Sequence, residues 1–270
     1  MEKLDYLIEY LVKENEATNI CEIPVNCTDK KSLYRSLCNI REPMPISPQY
    51  LEVEDEYLQE ELHKKGIVYD DDIEFVSEVY PKSKLDFKNK ICLWKGDITR
   101  LKVDAIVNAA NSRGLGCFIP CHKCIDNSIH SFSGVRLRLE CHKKMQEIGA
   151  LETGKAFLTK GYNLPAKYVI HTVGPIINLR VTKEDKEELA DCYTNCLKIA
   201  MRTGIRTIAF PCISTGEFRF PKKEASKIAI RAVTEFLDEH GVEFDKIIFN
   251  VFTDEDNKIY EQNLQNYYLK

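Results

Sequence analysis

Between Asn108 and Asn127 the chain gathers residues that can do chemistry: two asparagines three apart, a short glycine run, then Cys117, Cys121, His122 and Cys124. Four soft or borderline ligands in one short loop suit a Zn²⁺ ion bound by thiolate and imidazole. This stretch is therefore taken as the active site. Parts of the pattern occur in other chemistries. Cys121-His-Lys-Cys124 is a C-x-x-C, but the redox version opens a helix directly after a first strand. Here the preceding strand is expected to end near Ala110, too far upstream. Pro120-Cys-His-Lys-Cys124 also matches the second half of the zinc nucleobase deaminase signature, without the upstream H-x-E that would supply its acid/base. A structural zinc closed by all four ligands remains open.

The elements that must position this loop fall into two textures. In residues 1–70, Leu4, Leu7, Ile8 and Leu11 mark one face of a short helix. Thr28 begins a second helix holding Leu33, Leu37 and Ile40, and three prolines between Arg41 and Pro48 break it. A third helix is expected over 48–64. The result is a helical N-terminal extension, either a packing element or a lid. From about Ile91, short apolar runs at 91–95, 104–108, 168–173, 207–212 and 246–252 read as buried strands. Helical stripes through Leu189, Cys192, Tyr193 and Cys196, and through Ala225, Ile228, Ala229 and Ala232, lie between them. Gly204 and Gly241 stand where these helices should stop. Such alternation implies an α/β sandwich with a largely parallel central sheet and helices on both faces. Ligands in such folds bind beyond the carboxyl ends of the strands, and nearly every special residue of this chain falls there.

Composition narrows the partners. The 270 residues are 44% hydrophobic and 30% charged, as in a soluble globular protein able to bury a core. A net charge of −4 gives no reason to expect nucleic-acid binding, so an anionic ligand must be held by local backbone N–H groups. No run is apolar and long enough to cross a bilayer. Eleven cysteines, an odd number, follow a start too charged for a secretory signal, which points to the reducing cytoplasm.

In order, the strand ends read Gly96-Asp-Ile-Thr99, Val103-Asp-Ala-Ile-Val-Asn-Ala-Ala-Asn111, Gly154, His171-Thr-Val-Gly174 and Ile213-Ser-Thr-Gly-Glu-Phe-Arg-Phe-Pro221. Together they resemble the macrodomain family, which binds ADP-ribose. The chain departs from the common pattern after Asn111, where Gly114 to Cys124 replaces the usual glycine-rich run. That replacement is similar to the zinc-containing macrodomain class of microbial proteins, which also carries a helical N-terminal extension. The resemblance implies a macrodomain-like three-layer α/β/α sandwich over residues 71–270. It also implies an ADP-ribosyl hydrolase activity, of the kind that in some members is paired with a sirtuin-type transferase and a lipoate-linked carrier protein. A reader that holds ADP-ribose beside a structural zinc is the rival reading.

The resemblance assigns roles residue by residue. Asp97 would accept a hydrogen bond from the adenine amine, Ile98 would offer its N–H, and Phe252 would stack on the ring. Ser214, Thr215, Gly216, Glu217 and Phe218 would cradle the diphosphate, with Arg219 where many relatives have a second glycine. The distal ribose would lie between Asn108, Asn111 and the cysteine-histidine loop. Cys117, His122 and Cys124 form the preferred metal trio. Resemblance supports it, and so does geometry, since adjacent side chains in an extended segment point apart and would turn Cys121 into the core. Asp126 is the candidate acid/base or partner of the ligand histidine, unless Asp126, Asn127 or Ser128 caps the following helix. His171 reads as a satisfied buried histidine and His130 as a helix rider. The protein is expected to act as a cytoplasmic monomer on mono-ADP-ribosylated protein, away from membrane and nucleic acid.

Overall fold

The structure, a computed structural model, describes residues 3–14, 23–240 and 244–267. Its first three helices are α1 (Lys3–Glu14), α2 (Cys27–Ile40) and α3 (Pro48–Lys65). The first helix buries Leu4, Leu7, Ile8 and Leu11 as the periodicity requires. The second starts one residue before Thr28, because Asn26 is the N-cap and accepts from the Asp29 N–H. Ser47 caps the third, Pro48 occupies its first turn, and Gly66 ends it at φ +83. Tyr34, Leu37, Tyr50, Tyr57 and Leu58 complete an apolar cluster of their own, which Val135 enters from the rest of the molecule.

The remaining elements are β1 (Val68–Tyr69), α4 (Val76–Val79), β2 (Ile91–Lys95), β3 (Leu101–Lys102), β4 (Ala105–Ala109), α5 (Ile125–Ser133), α6 (Val135–Ile148), β5 (Ala156–Lys160), β6 (Tyr168–Thr172), α7 (Lys183–Arg202), β7 (Thr207–Phe210), α8 (Lys222–His240), β8 (Lys246–Val251) and α9 (Asp254–Gln265). Six strands form one sheet in the order β2-β8-β7-β4-β6-β5, parallel except that β5 runs against β6. The short β1 and β3 pair separately. Side-chain alternation divides the core in two. Ala105 and Val107 face the layer of α7 and α8, while Ile106 faces that of α5 and α6. This is the expected α/β/α sandwich with a mixed, mostly parallel sheet. Gly204, at φ +70, follows the end of α7, whereas the stop expected at Gly241 lies outside the described residues.

The extension is joined to the sandwich by a buried carboxyl. Glu54 on α3 accepts from the Val135 N–H at the start of α6 (3.0 Å) and from the Tyr34 and Tyr50 hydroxyls (2.8 and 3.3 Å). An acidic group at a helix N-terminus complements the exposed N–H groups there. Glu54 has no exposed surface, however, and burial pushes its carboxyl up to about 7 against the pull of those donors. The folded value lies above the unfolded one, so the stability Glu54 contributes is complete below about pH 4.5 and is lost as pH rises through about 7. That loss amounts to about 3 kcal/mol. Urea denaturation across this window should show stability falling with pH in the wild type and a flatter slope in Glu54→Gln. An unchanged slope in the variant would show that another group titrates.

Candidate active site

Parallel strands carry their carboxyl ends to one edge of the sheet, and the loops leaving β2, β4, β6, β7 and β8 meet there. Asn108, near the end of β4, pairs in register with His171 on β6. It shares the sheet face of Ile106, and its amide therefore meets α5. Its Nδ2 donates to Asp126 Oδ1 at 2.7 Å and to His171 Nδ1 at 3.1 Å. His171 Nε2 then donates to Thr159 Oγ1 (2.9 Å) and the ring stacks on Phe157. Burial drives the imidazole down to about 3, so it is neutral. His171 is thus the satisfied buried histidine expected from its strand. Asn108 has no exposed surface, and its Oδ1 is buried without a hydrogen-bond partner among the described residues.

Asn111 turns the chain out of β4. It accepts from the Arg113 N–H (3.0 Å) and donates to Gly116 O (3.2 Å) and Asp126 Oδ2 (3.1 Å). Each oxygen of Asp126 therefore receives one asparagine amide. Burial raises the Asp126 carboxyl to about 6, while Asn108, Arg138 and Asn111 pull it down. Asp126 does not cap its helix, and its hydrogen bonds go to the asparagines rather than to His122. The N-cap of α5 is Cys124, whose sulfur accepts from the Asn127 N–H at 3.4 Å. Neither Asp126, Asn127 nor Ser128 fills that position, because the helix begins at Ile125.

The loop between these points holds the metal candidates. Cys117 Sγ lies 3.6 Å from His122 Nδ1, and the ligand atoms of Cys117, His122 and Cys124 all fall within 4.8 Å of one another. Ligands around a tetrahedral zinc stand roughly 3.3–3.8 Å apart, so small side-chain adjustments would close the trio on an ion. Two thiolates and an imidazole are the donor chemistry zinc takes. Burial pushes the Cys124 thiol up to about 12, and a bound cation reverses that balance. Cys121 is separated from the trio, though not for the expected reason. The segment is a turn, with the His122 N–H on Ile119 O and Cys121 at φ +51. Its thiol is half-buried against Ser32 O and Ser36 Oγ of α2 instead of entering the core. A second group, His130, Cys141 and His171, is wholly buried, and His171 commits both ring nitrogens elsewhere.

At the end of β2, Asp97 accepts from the Thr99 N–H and hydroxyl and pairs with Lys65 of α3. Burial alone would raise its carboxyl, but Lys65 and Thr99 hold it below the ordinary value. Ile98 is buried beside it. After β7, the loop from Ser214 to Phe218 turns on left-handed residues at Ser214 (φ +64) and Arg219 (φ +58) rather than at Gly216. The Phe220 N–H bonds Ser214 O (2.9 Å), Ile177 N–H bonds Phe218 O (2.9 Å), and the buried Ser214 hydroxyl has no partner among the described residues. Arg219 faces solvent. Glu217 Oε1 stands 3.6 Å from His122 Nε2, which brings this loop to the metal candidates. Phe252 follows β8 and is 75% exposed, so it is not a core residue.

Three residues of this region carried no signal in the sequence: Lys65, Arg35 and Arg138. Arg138 of α6 donates to Leu115 O and Cys117 O in the loop, and also to Cys38 O, Asn39 O and Arg41 O at the end of α2. Its partners are backbone carbonyls distant in the chain, which no local pattern encodes.

Fold and side-chain placement together define a macrodomain-type sandwich that gathers its polar and metal-ligating side chains at the strand ends. Residues 107–229 match the Macro domain family. A protein of Treponema medium named "Protein-ADP-ribose hydrolase" is 46% identical, over 97% of this chain and 97% of that protein. A Staphylococcus aureus (strain MRSA252) protein of the same name is 44% identical, over 96% and 94%. Among solved structures, the Trypanosoma brucei macrodomain in complex with ADP superimposes with a TM-score of 0.65 at 32% identity, covering 86% of this chain and 95% of that one. The chain belongs to the macrodomain family. It is a hydrolase, and among its described residues no helix is long and apolar enough to cross a membrane.

The loop's fit to α5 can be tested through Gly116. Its φ is +84, and a Cβ there would lie 2.7 Å from the buried His130 ring. Gly204, at φ +70, would meet nothing within 4 Å. Gly204→Ala should cost about 1 kcal/mol, the left-handed penalty alone, and Gly116→Ala about 3 kcal/mol or more. Equal losses of Tm in the two variants would contradict this packing.

Proposed function

We propose that the protein is a zinc-dependent protein-ADP-ribosyl hydrolase that removes mono-ADP-ribose from modified proteins, with an ester to Asp or Glu as the linkage cut. The observation that carries this reading is the 3.6 Å approach of Glu217 to His122, which joins the loop suited to a diphosphate to the metal candidates, whose own loop is tied through Gly116 O to Asn111 and so to Asp126. In this reading Asp97 and the Ile98 N–H receive the adenine, and the exposed Phe252 ring is free to stack on it. Residues 214–218 receive the diphosphate through backbone N–H groups. Asp97 already has Lys65 as a partner, so the adenine amine shares a carboxylate that is held charged.

Asn108 acts from within, holding Asp126, while the half-buried Asn111, both of whose N–H groups are engaged, offers the second lone pair of its Oδ1 to a hydroxyl of the distal ribose. Zinc held by Cys117, His122 and Cys124 would supply Lewis acidity and an open coordination position. Hydrolysis forms a bond from a water oxygen to the ribose anomeric carbon and breaks that carbon's bond to the side-chain carboxylate, which leaves as an anion. Asp126 accepts the proton released by the water. We further propose a lipoate-linked carrier protein, modified by a sirtuin-type transferase, as the protein substrate. The same reading has the hydrolase act as a monomer in the cytoplasm, where the free thiols of the described cysteines persist.

The test is metal content beside turnover. Cys117→Ala and Cys124→Ser, the latter keeping a capping oxygen for α5, should lose zinc and about 100-fold or more in kcat while retaining most of the affinity for free ADP-ribose. Normal hydrolysis by both variants would remove zinc from the chemistry. Binding of ADP-ribose without any turnover of mono-ADP-ribosylated protein by the wild type would favour the reader.

A further inference from the structure

Between Cys117 and Cys124 the loop carries a further thiol, Cys121, and a C-x-x-C of this kind can close all four positions of a zinc ion with protein ligands. A closed ion has no place for water or substrate. Something must keep Cys121 out, and local backbone preference does not. At φ +51 it occupies the left-handed region, which costs a non-glycine residue about 1–2 kcal/mol and persists only where its surroundings hold it.

What holds it is α2 of the extension. Asn39 Oδ1 accepts from the Cys121 N–H at 2.9 Å, fixing the turn. The Cys121 thiol lies 3.2 Å from Ser36 Oγ and 3.3 Å from Ser32 O, so both its backbone and its side chain are engaged by one helix face. Arg35, on the same helix, donates to the His122 carbonyl (3.1 Å) and to Asn127 Oδ1 (2.6 and 3.0 Å), so the next residue along is anchored as well. Asn127 in turn donates to Ile119 O at 2.9 Å. The loop's conformation is thus decided by residues about 85 positions earlier in the chain.

We propose that Ser36 and Asn39 are positioning residues that capture Cys121 and thereby keep the metal centre at three protein ligands with one position open. This rests on the zinc reading above and deepens it: the helical extension is then part of the active site's coordination chemistry and more than a packing element. Removing the capture frees Cys121 to enter the ligand set, because it adjoins His122 and forms with Cys124 the C-x-x-C spacing at which two thiolates can share one zinc. The metal would be held more completely and catalyse less.

Cobalt substitution reads the number of thiolate ligands through the sulfur-to-metal charge-transfer band. The full-length wild type should show two. Ser36→Ala combined with Asn39→Ala should show three, with the band about half as intense again, kcat down about tenfold or more, and KM little changed. Adding Cys121→Ser to that double variant should return the band to two thiolates and restore most of kcat, which a general loss of stability would not allow. Ser36→Ala alone removes no buried amide and carries the same test if Asn39→Ala fails to fold. A two-thiolate band with wild-type kcat in a folded double variant, or loss of the metal with no third thiolate, overturns the proposal. If the wild type itself binds no cobalt or zinc, the zinc reading fails first, independently of Cys121.

Discussion

The guanidinium of Arg138 is the tie on which the site depends. It is almost wholly buried and faces five backbone carbonyls, two from the cysteine-histidine loop and three from the end of α2. Burying a charge is costly unless the surroundings solvate it. Here the solvation comes from carbonyl dipoles, chiefly those at a helix C-terminus, where the partial charge is negative. The Phe118 ring lies 4.1 Å from the guanidinium and adds a cation–π contact. Five N–H groups in one rigid plane can meet five acceptors where an ammonium could not. The extension and the loop therefore share a single cation.

Around that tie the extension touches the site's neighbourhood at several points. Glu54 receives the first N–H of α6, Arg35 and Asn39 hold the turn of the loop, and Lys65 reaches Asp97 at the end of β2. Each contact is polar and directional, so each fixes a position more than it adds bulk stability. The sheet fixes the other half. Parallel pairing brings Asn108, His171 and the loop after β7 to one edge, and the amides of Asn108 and Asn111 divide the two oxygens of Asp126 between them. A net charge of −4 does not oppose an anionic ligand at that edge, since backbone N–H groups and a few placed cations act locally whatever the total charge.

Much of this architecture was readable in advance. The stripes of α1, α7 and α8, the prolines before α3, and five of the six sheet strands follow from periodicity and local backbone chemistry, which a run of ten or fifteen residues carries complete. Less was readable where the local signal is weak. The strand β5 opens on three apolar residues but ends in Thr159 and Lys160, and α6 opens as Val-Arg-Leu-Arg-Leu, an alternation that suggests no helix.

By itself the sequence determined which residue types are available at the strand ends and in the cysteine-histidine loop, and that an α/β sandwich would bring those ends together. Only the tertiary structure decided how they are used. It placed Cys121 on α2, gave the helix cap to Cys124 instead of Asp126, buried Asn108 behind Asp126, exposed Phe252, and paired Asp97 with a lysine of the extension. The physical reason is range. Caps and stripes are interactions between near neighbours in the chain. The long-range partners of Arg138, Cys121 and Asp97 lie from about twenty to a hundred residues away, and folding alone brings them within hydrogen-bond distance.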